Sequence, residues 1–298
     1  MSTARRLLAG QFAAWLAPVG APAPLWLFVH VPKTAGSSLA SDLAQLAPPY
    51  RSIHIDHTDR TRPAVERYDA AVEAFIAAQA ASACRFASGH VQFRHHRRVQ
   101  EAFPHARLFT MLREPVSRLV SDYLYQRSPM HPLAAEVRAR IPDFAAFIEL
   151  KGQQNRIGRH LLPPKVVASG DVGQGLDMLR NRYAFVGIQE RYELGFRALA
   201  ALVAGRPGRP GARKRVNDGA AEEKAGVMAA LQDPALRARV AELNAFDLGI
   251  HAGIAAAWDA IAPGLEAFLE AQMNAPMDAH PGGLAGAHAG APGAPAPA

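Results

Sequence analysis

A lysine, a threonine and two serines surround a glycine in the segment Pro32-Lys33-Thr34-Ala35-Gly36-Ser37-Ser38. The segment offers hydroxyl groups, successive backbone N–H groups and a cation, which together bind phosphate or sulfate. It differs from the common nucleotide-triphosphate loop, because its lysine precedes the glycine and the Gly-Lys-Ser/Thr order is missing. An ordinary strand-to-helix turn with a capping serine is the alternative.

A second polar segment, Arg113 to Ser121, reads Arg-Glu-Pro-Val-Ser-Arg-Leu-Val-Ser. Proline in third place marks the first turn of a helix. Ser121 follows Arg113 by eight residues, which is close to two helical turns. An arginine and a hydroxyl at such a helix mouth suit a second phosphate. The alternative is a helix start without a ligand, with Ser121 solvated or bonded to its own helix.

Two apolar runs precede these polar segments. Residues Leu25–Val31 lead into the first segment, and Arg107–Leu112 lead into the second. Continuous apolar runs of this length indicate strands that are buried on both faces, as in parallel sheets. Because ligands of such sheets bind beyond the carboxyl ends of the strands, both segments are expected at one ligand site.

The remaining pattern alternates strands with helices. Helices are predicted to begin at Ser37 or Ser38, at Pro63 and at Pro115, and further strands are predicted at Arg85–Ser88 and Tyr183–Ile188. The C-terminal third is predicted to be largely helical. This alternation predicts an α/β fold with a central parallel sheet and right-handed crossovers.

The composition bears on location and partners. The chain has 298 residues, a net charge of +7 and a single cysteine, Cys84. One cysteine excludes an internal disulfide, so a reducing, cytoplasmic location is expected. The positive charge favours an anionic partner, but a bias of the composition toward arginine explains it equally well. Nucleic acid is not expected as a partner, because basic residues are not interleaved with aromatic residues in a recognisable module.

The two ends of the chain differ from its centre. Residues 1–24 are predicted to form an N-terminal extension with a short amphipathic helix, which lies either on the domain or loosely on a membrane. Residues 25–274 are assigned to one domain, and residues 275–298 to a disordered tail of Ala, Gly and Pro. A mobile basic loop is predicted at Arg206–Gly219. A membrane-spanning helix is not expected, because no run of about 18 apolar residues exists.

Together, the two polar segments resemble the 5'-phosphosulfate-binding and 3'-phosphate-binding motifs of sulfotransferases, above all the carbohydrate (heparan 2-O-type) sulfotransferase-like family. Pro32 to Ser38 match the family's Pro-Lys-Thr-Ala-Gly/Ser-(Ser/Thr)-Ser loop. Arg113 to Ser121 match its Arg-Asp-Pro-x-x-Arg-x-x-Ser segment, with Glu114 in place of aspartate. The resemblance spans about Leu25 to Trp258 and includes three weaker matches: Gly89 to Phe93, Phe185 to Tyr192 and Leu243 to Asp247.

This resemblance implies a P-loop-like three-layer domain that uses 3'-phosphoadenosine 5'-phosphosulfate (PAPS) as sulfate donor, without a metal. Lys33 would hold the 5'-phosphosulfate and stabilise the departing bridging oxygen. Arg113 and Ser121 would bind the 3'-phosphate. Sulfuryl transfer is an in-line displacement in which positioning and charge neutralisation dominate. The implied donor-binding residues are Lys33, Thr34, Ala35, Gly36, Ser37, Ser38, Arg113 and Ser121.

The resemblance also implies a catalytic base. His90 follows Gly89 at the end of a short predicted strand and corresponds to the base histidine of the similar carbohydrate enzymes. Those enzymes often carry a second histidine two residues earlier, where this chain has Ser88, so a two-histidine mechanism is not implied. An imidazole with a pKa of about 6.5 suits a single general base. The implied catalytic residues are therefore His90 and Lys33.

Other clusters contain metal-ligand types. Neither His54-x-Asp56-His57-x-Asp59 nor His95-His96 has the spacing of a metal site, so solvated loops or acceptor contacts are expected there. Three nearby arginines fit an acidic acceptor groove and a solvated helix face equally well: Arg94, Arg97 and Arg98.

Two further segments are similar to parts of the family that surround the substrates. The run from Gln153 to Arg159 resembles a substrate-side segment rich in amides. The run from Lys214 to Asn217 resembles the mobile loop that closes over the donor. Ordinary surface loops are the alternative for both.

The sequence thus predicts an enzyme that transfers sulfate from PAPS to a hydroxyl, of a carbohydrate or a glycolipid. A P-loop-type kinase is one alternative, but the Walker lysine order and a convincing magnesium-binding carboxylate are missing. A catalytically inactive anion- or glycan-binding module is the other. The presence of Lys33, His90, Arg113 and Ser121 argues against such a module.

Overall fold

A parallel sheet of five strands, in the order β2-β3-β1-β4-β5, forms the centre of the protein. The computed structural model describes residues 3–17, 24–56, 58–59, 61–211 and 221–274. The predicted α/β fold with a parallel sheet is confirmed. The strands are β1 (Trp26–Val29), β2 (Tyr50–Ile53), β3 (Phe86–Gly89), β4 (Arg107–Leu112) and β5 (Tyr183–Ile188).

Helices connect these strands and make up most of the C-terminal third. They are α1 (Ala4–Leu8), α2 (Phe12–Leu16), α3 (Gly36–Leu46), α4 (Ala64–Ala81), α5 (Phe93–Ala102), α6 (Pro115–Arg127), α7 (Ala134–Arg140), α8 (Phe144–Ile148), α9 (Arg156–Leu161), α10 (Pro164–Ser169), α11 (Val172–Arg182), α12 (Tyr192–Ala204), α13 (Ala221–Ala230), α14 (Pro234–Leu243) and α15 (Ala245–Asn274).

Burial explains which strands the sequence revealed. Every residue of β1, β3 and β5 is buried, so these strands are apolar or small throughout, and β4 and β5 have the predicted bounds. The edge strand β2 was not predicted. Only Ile53 of its four residues is buried, and four residues are too few to show an alternating pattern.

The predicted start of α3 was wrong. The helix begins at Gly36, two or three residues earlier than a cap at Ser37 or Ser38 requires, and no side chain caps it. Its N-cap residue is Ala35, which has φ 61°. Both serines therefore lie inside the first turn, where their backbone N–H groups belong to the positive end of the helix.

The N-terminal helices α1 and α2 pack on the domain, which was one of the two predicted positions. Leu7 and Trp15 are fully buried in the same core as the strands. The indole Nε1 of Trp15 donates to the carbonyl oxygen of Ala184, at the start of β5, over 2.9 Å. The proposed domain boundaries at residues 25 and 274 remain predictions.

Among the described residues, one helix, α15, is long and apolar enough to cross a membrane by length and composition. Ile254, Trp258 and Leu265 on this helix are fully buried in the protein core. The indole Nε1 of Trp258 donates to the carbonyl oxygen of Val186 in β5 over 2.8 Å. In this structure α15 is therefore a core helix. The predicted tail at 275–298 and the basic run from Lys214 to Asn217 lie outside the described residues.

Candidate functional site

A cavity of about 1460 Å³ lies beyond the carboxyl ends of β1, β3 and β4. We refer to it as the main cavity. It brings together nearly all the predicted site residues: Lys33, Ala35, Gly36, Ser37, Ser38, His90, Arg113 and Ser121. Thr34 is the exception, because it is fully buried and does not line the cavity.

The first polar segment is a tight turn held by its own threonine. Lys33 has φ 70° and Ala35 has φ 61°, a left-handed conformation that costs L-residues of order 1 kcal/mol and is often found at functional sites. The hydroxyl of Thr34 donates to the carbonyl oxygen of Val31 over 2.9 Å and so closes the turn. Thr34 therefore shapes the loop with its side chain, and only its backbone is left to serve a ligand.

The start of α3 needs glycine because a histidine ring packs on it. A Cβ at position 36 would lie 2.0 Å from Nε2 of His30, so any larger residue would displace that ring. The His30 ring also stacks on Phe28, with centroids 5.1 Å apart, and lies 4.1 Å from the ring of His90. Gly36 thus allows the polar turn to pack against the histidines below it.

The predicted base has a defined tautomer. Nδ1 of His90 lies 2.9 Å from the carbonyl oxygen of His30. A carbonyl oxygen accepts, so Nδ1 carries the hydrogen and Nε2 is the nitrogen of the neutral ring that can take up a proton. The ring lines the main cavity. This is the arrangement that a general base needs.

Two further histidines near His90 are buried and neutral. Burial, followed by the charge of His90, lowers the pKa of His30 well below 6.5. Burial, followed by the charge of Arg156, does the same for the pKa of His160. Neither ring therefore adds a positive charge beside His90 at neutral pH.

The two polar segments contact each other directly. Arg113 donates through Nη1 to the carbonyl oxygen of Lys33 over 3.3 Å. The ammonium nitrogen of Lys33 lies 4.0 Å from the centroid of the Tyr125 ring, in a cation–π contact with α6. Lys33, Arg113 and the helix that carries Ser121 consequently form one unit.

Glu114, which stands where the similar sulfotransferase motif has aspartate, serves as a helix cap. Its carboxylate accepts from the backbone N–H groups of Val116 and Ser117, at 2.8 and 2.6 Å, and so caps α6. Its own N–H donates to Glu190 over 2.8 Å. Glutamate therefore supplies the N-cap of this helix, and Arg113 beside it still lines the cavity.

A buried ion cluster beneath the cavity was not predicted. The carboxylate of Asp122 lies 2.6 Å from Arg156 Nη1 and 3.4 Å from Arg118 Nη1. Burial alone would raise the pKa of Asp122, but the two guanidinium groups outweigh burial and lower it. Asp122 and Arg156 both line the cavity. The spacing of Arg118 and Asp122, four residues apart on a helix, was the available signal.

A second buried hydrogen-bond network joins the segment Gln153–Arg159 to the segment Leu243–Asp247. The carboxylate of Asp247 accepts from the backbone N–H groups of Ile157 and Gly158, at 2.7 and 2.8 Å. The side-chain oxygen of Asn244 accepts from Asn155 N over 3.2 Å. Burial raises the pKa of Asp247 to about 6. This network anchors the start of α9 to α15.

In the predicted substrate-side segment from Gln153 to Arg159, the arginines line the main cavity and the amide residues do not. Gln153, Gln154 and Asn155 do not line the main cavity, whereas Arg156 and Arg159 do. The cavity reaches Gly211 on one side of the undescribed loop and Ala221 on the other.

No protein-family model matches the chain, and no curated protein matches it. Among solved structures, it is similar to the crystal structure of a sulfotransferase from Alicyclobacillus acidocaldarius, with 17% sequence identity and a TM-score of 0.37. The similarity covers 76% of this chain and 96% of that chain.

The other histidine clusters lie apart from the predicted mechanism. His95 and His96 are buried, so the expected solvated loop or acceptor contact was wrong for both. Nδ1 of His95 accepts from Gln92 N and helps to cap α5, while His96 lies 3.3 Å from the carbonyl oxygen of His160. Asp56 accepts from Thr58 in a local turn. Within the described ranges, which omit His57, no three potential metal ligands group together.

The three arginines of α5 form a solvated helix face, one of the two predicted alternatives. Arg94 pairs with Asp69, Arg97 with Glu101 and Arg98 with Glu73. All six side chains are about half exposed or more. None of the three arginines lines the main cavity.

Proposed function

We propose that this protein is a sulfotransferase that moves the sulfuryl group of PAPS to a hydroxyl. The observation that carries this proposal is a single cavity that holds Lys33, Arg113 and Ser121 together with His90. Two separate cationic positions suit a ligand with two separate anionic groups. A base beside them suits an acceptor that must lose a proton.

The residues present fit such a donor. Lys33, Ser37 and Ser38 lie at the N-terminal end of α3, which favours the 5'-phosphosulfate through backbone N–H groups and the helix dipole. Arg113 and Ser121 would bind the 3'-phosphate at the start of α6. A volume of about 1460 Å³ is large for a small-molecule site and leaves room for both substrates.

The roles of the residues follow from their geometry. PAPS supplies an activated sulfuryl group when it is bound. Nε2 of His90 takes the proton from the acceptor hydroxyl as the hydroxyl oxygen bonds to sulfur. Lys33, held over the Tyr125 ring, offsets the negative charge that grows on the bridging oxygen as the bond from that oxygen to sulfur breaks. The products are a sulfate ester, adenosine 3',5'-bisphosphate and a proton on His90.

The kinase alternative is less well supported by the cavity. Among the described residues that line it, Asp122 is the one carboxylate. Its oxygen already contacts Arg156 and Arg118, so a magnesium ion would have to displace two guanidinium groups. Phosphoryl transfer of the kinase type relies on metal-binding carboxylates.

The acceptor belongs to the same proposal. A hydroxyl of a carbohydrate or glycolipid would have to come within reach of Nε2 of His90, which lines the main cavity. A cytoplasmic enzyme remains part of this proposal, based on the single cysteine, Cys84.

Thermal unfolding with added nucleotide tests this proposal. Adenosine 3',5'-bisphosphate at about a hundredfold over its dissociation constant should stabilise the protein by roughly 2.7 kcal/mol, and ATP with magnesium by much less. Arg113→Ala should lose the effect, whereas Arg97→Ala, an exposed control outside the cavity, should keep it. Equal stabilisation by both nucleotides would favour a kinase, and transfer of label from labelled PAPS to acceptors would separate an enzyme from a binding module.

A further inference from the structure

A second cavity, of about 590 Å³, lies between α3 and the outer strands β2 and β3. We refer to it as the neutral groove. Three of its residues, His30, Ser37 and His90, also line the main cavity, so the two cavities meet at the proposed base. Its other residues are Ala40, Ser41, Ala44, Gln45, Tyr50, Ser52, Ile53, His54, Ser88 and Gly89.

The order of the strands places this groove opposite the proposed donor site. Lys33 follows β1 and Arg113 follows β4, whereas His90 follows β3, and the groove extends from β3 to the edge strand β2. A donor bound over β1 and β4 would therefore have His90 and the groove on one side. An in-line displacement requires the attacking oxygen to approach from the side opposite the leaving group. The groove lies where that oxygen must enter.

The chemistry of the groove differs from that of the main cavity. Among the described residues that line it, no Lys, Arg, Asp or Glu occurs. The main cavity, in contrast, has Lys33, Arg113, Arg156, Arg159 and Lys224. A carboxylate or sulfate that entered the groove would lose water without gaining a cation there. Hydroxyl, amide and imidazole groups instead suit an uncharged polyol.

An aromatic ring forms one wall of the groove. Tyr50 is 37% exposed, and its hydroxyl lies 2.8 Å from Oγ of Ser88, which holds the ring in place. Tyr50 and Ser52 lie on one face of β2, and His54, directly after the end of the strand, continues this alternation. All three residues line the groove. A flat apolar ring beside several hydroxyl groups can bind both the C–H face and the hydroxyl edge of a sugar ring.

We propose that the neutral groove binds the acceptor, and that the acceptor presents an uncharged sugar unit to it. This inference rests on the proposed sulfotransferase function and deepens it, because it assigns the acceptor site and excludes acidic sugars at the reacting unit. The sugar hydroxyl then reaches Nε2 of His90 from the β2 side of the sheet.

Saturation-transfer NMR tests the inference on the full chain saturated with adenosine 3',5'-bisphosphate. The neutral probes are the methyl glycosides of glucose, galactose and mannose, and the acidic probes are methyl glucuronide and glucose 6-sulfate. Ser52→Trp fills the groove from an exposed position on a strand, where tryptophan is tolerated. Ser82→Trp, exposed and outside both cavities, is the matched control.

We expect a neutral glycoside to bind wild type and Ser82→Trp, and to bind Ser52→Trp about tenfold more weakly, with nucleotide affinity equal in all three. The inference is overturned if no neutral glycoside binds, if an acidic probe binds wild type as tightly, or if Ser52→Trp binds normally. In those cases intact nucleotide binding leaves the proposed function standing. If the nucleotide itself fails to bind wild type, the proposed function fails, and the inference fails with it.

Discussion

Replacing Asp122 with asparagine tests the buried ion cluster that supports the site. The substitution keeps the shape of the side chain and removes its charge. Arg118 is 1% exposed and would lose its ion-pair partner, with the carboxylate of Asp247 as the nearby opposite charge that remains. Arg156 is 23% exposed on its side chain and can turn toward the water of the cavity, so it adds little to the loss.

The size of the effect follows from the burial of Arg118. Removing one partner of a buried ion pair costs about 3–5 kcal/mol, because the other charge stays desolvated. For a domain of this size, each kcal/mol lowers the melting temperature by roughly 2–4 °C. Asp122→Asn should therefore melt roughly 6–20 °C below wild type. The control Asp177→Asn breaks an exposed pair with Arg5 and should cost less than about 1 kcal/mol.

Thermal melting and urea unfolding at pH 7, both followed by the fluorescence of the three buried tryptophans Trp15, Trp26 and Trp258, measure both variants. The double variant Arg118→Met with Asp122→Leu should recover most of the loss, because it removes both charges and keeps the volume filled. A loss for Asp122→Asn no greater than that of the exposed control would show that Arg118 is not a buried cation. A double variant that is as unstable as Asp122→Asn would also show that Arg118 is not a buried cation.

Three further predictions concern the base, the phosphate contact and acid stability. His90→Ala should lower turnover roughly a hundredfold or more and leave the affinity for adenosine 3',5'-bisphosphate unchanged. Normal turnover, or a loss of nucleotide affinity, would show that His90 is not the general base. Arg113→Ala should weaken nucleotide binding in calorimetry by about tenfold or more, and Arg113→Lys should restore it only in part; unchanged affinity would place Arg113 outside the site. Burial lowers the pKa of three histidines strongly and that of His95 less, so the unfolded state binds more protons than the folded state below about pH 6.5. Asp247, with its pKa raised to about 6, takes up one proton in the folded state. A net difference of about two protons should lower the free energy of unfolding by roughly 3 kcal/mol per pH unit between pH 6 and 5, measured in urea, and a flat profile would contradict these assignments. The three histidines are His30, His96 and His160.

Local sequence was sufficient to predict the strands that are buried along almost their whole length. The runs that became β1 and β5 are apolar without interruption, and β4 departs from this only at Arg107 and Thr110, because both faces of the sheet are covered. The edge strand β2 has only one buried residue, Ile53, among its four and gave no comparable pattern. The start of α3 was misplaced because Ala35, rather than a serine, adopts the left-handed conformation before it.

The candidate site was also predictable from the sequence only in part. Lys33, His90 and Arg113 could be assigned to one cavity in advance, since each follows a predicted strand and the carboxyl ends of parallel strands meet at one edge. Ser121 could be added because it lies two turns into the helix that follows Arg113. The partners that orient them could not be assigned. Nothing near His90 in the chain indicates that the carbonyl oxygen of His30, sixty residues earlier, sets its tautomer.

The sequence by itself was sufficient for the type of fold and for proposing two candidate anion-binding loops and a candidate base, because periodicity, glycine and proline positions, and residue chemistry act over a few neighbouring residues. Only the tertiary structure decided that Thr34 supports its loop and that His95 and His96 are buried. It also decided that a groove adjoins His90 whose described lining residues include no Lys, Arg, Asp or Glu. These features depend on contacts between segments that are far apart in the chain. Their energies come from desolvation, and desolvation is set by what packs above each group rather than by its neighbours in sequence.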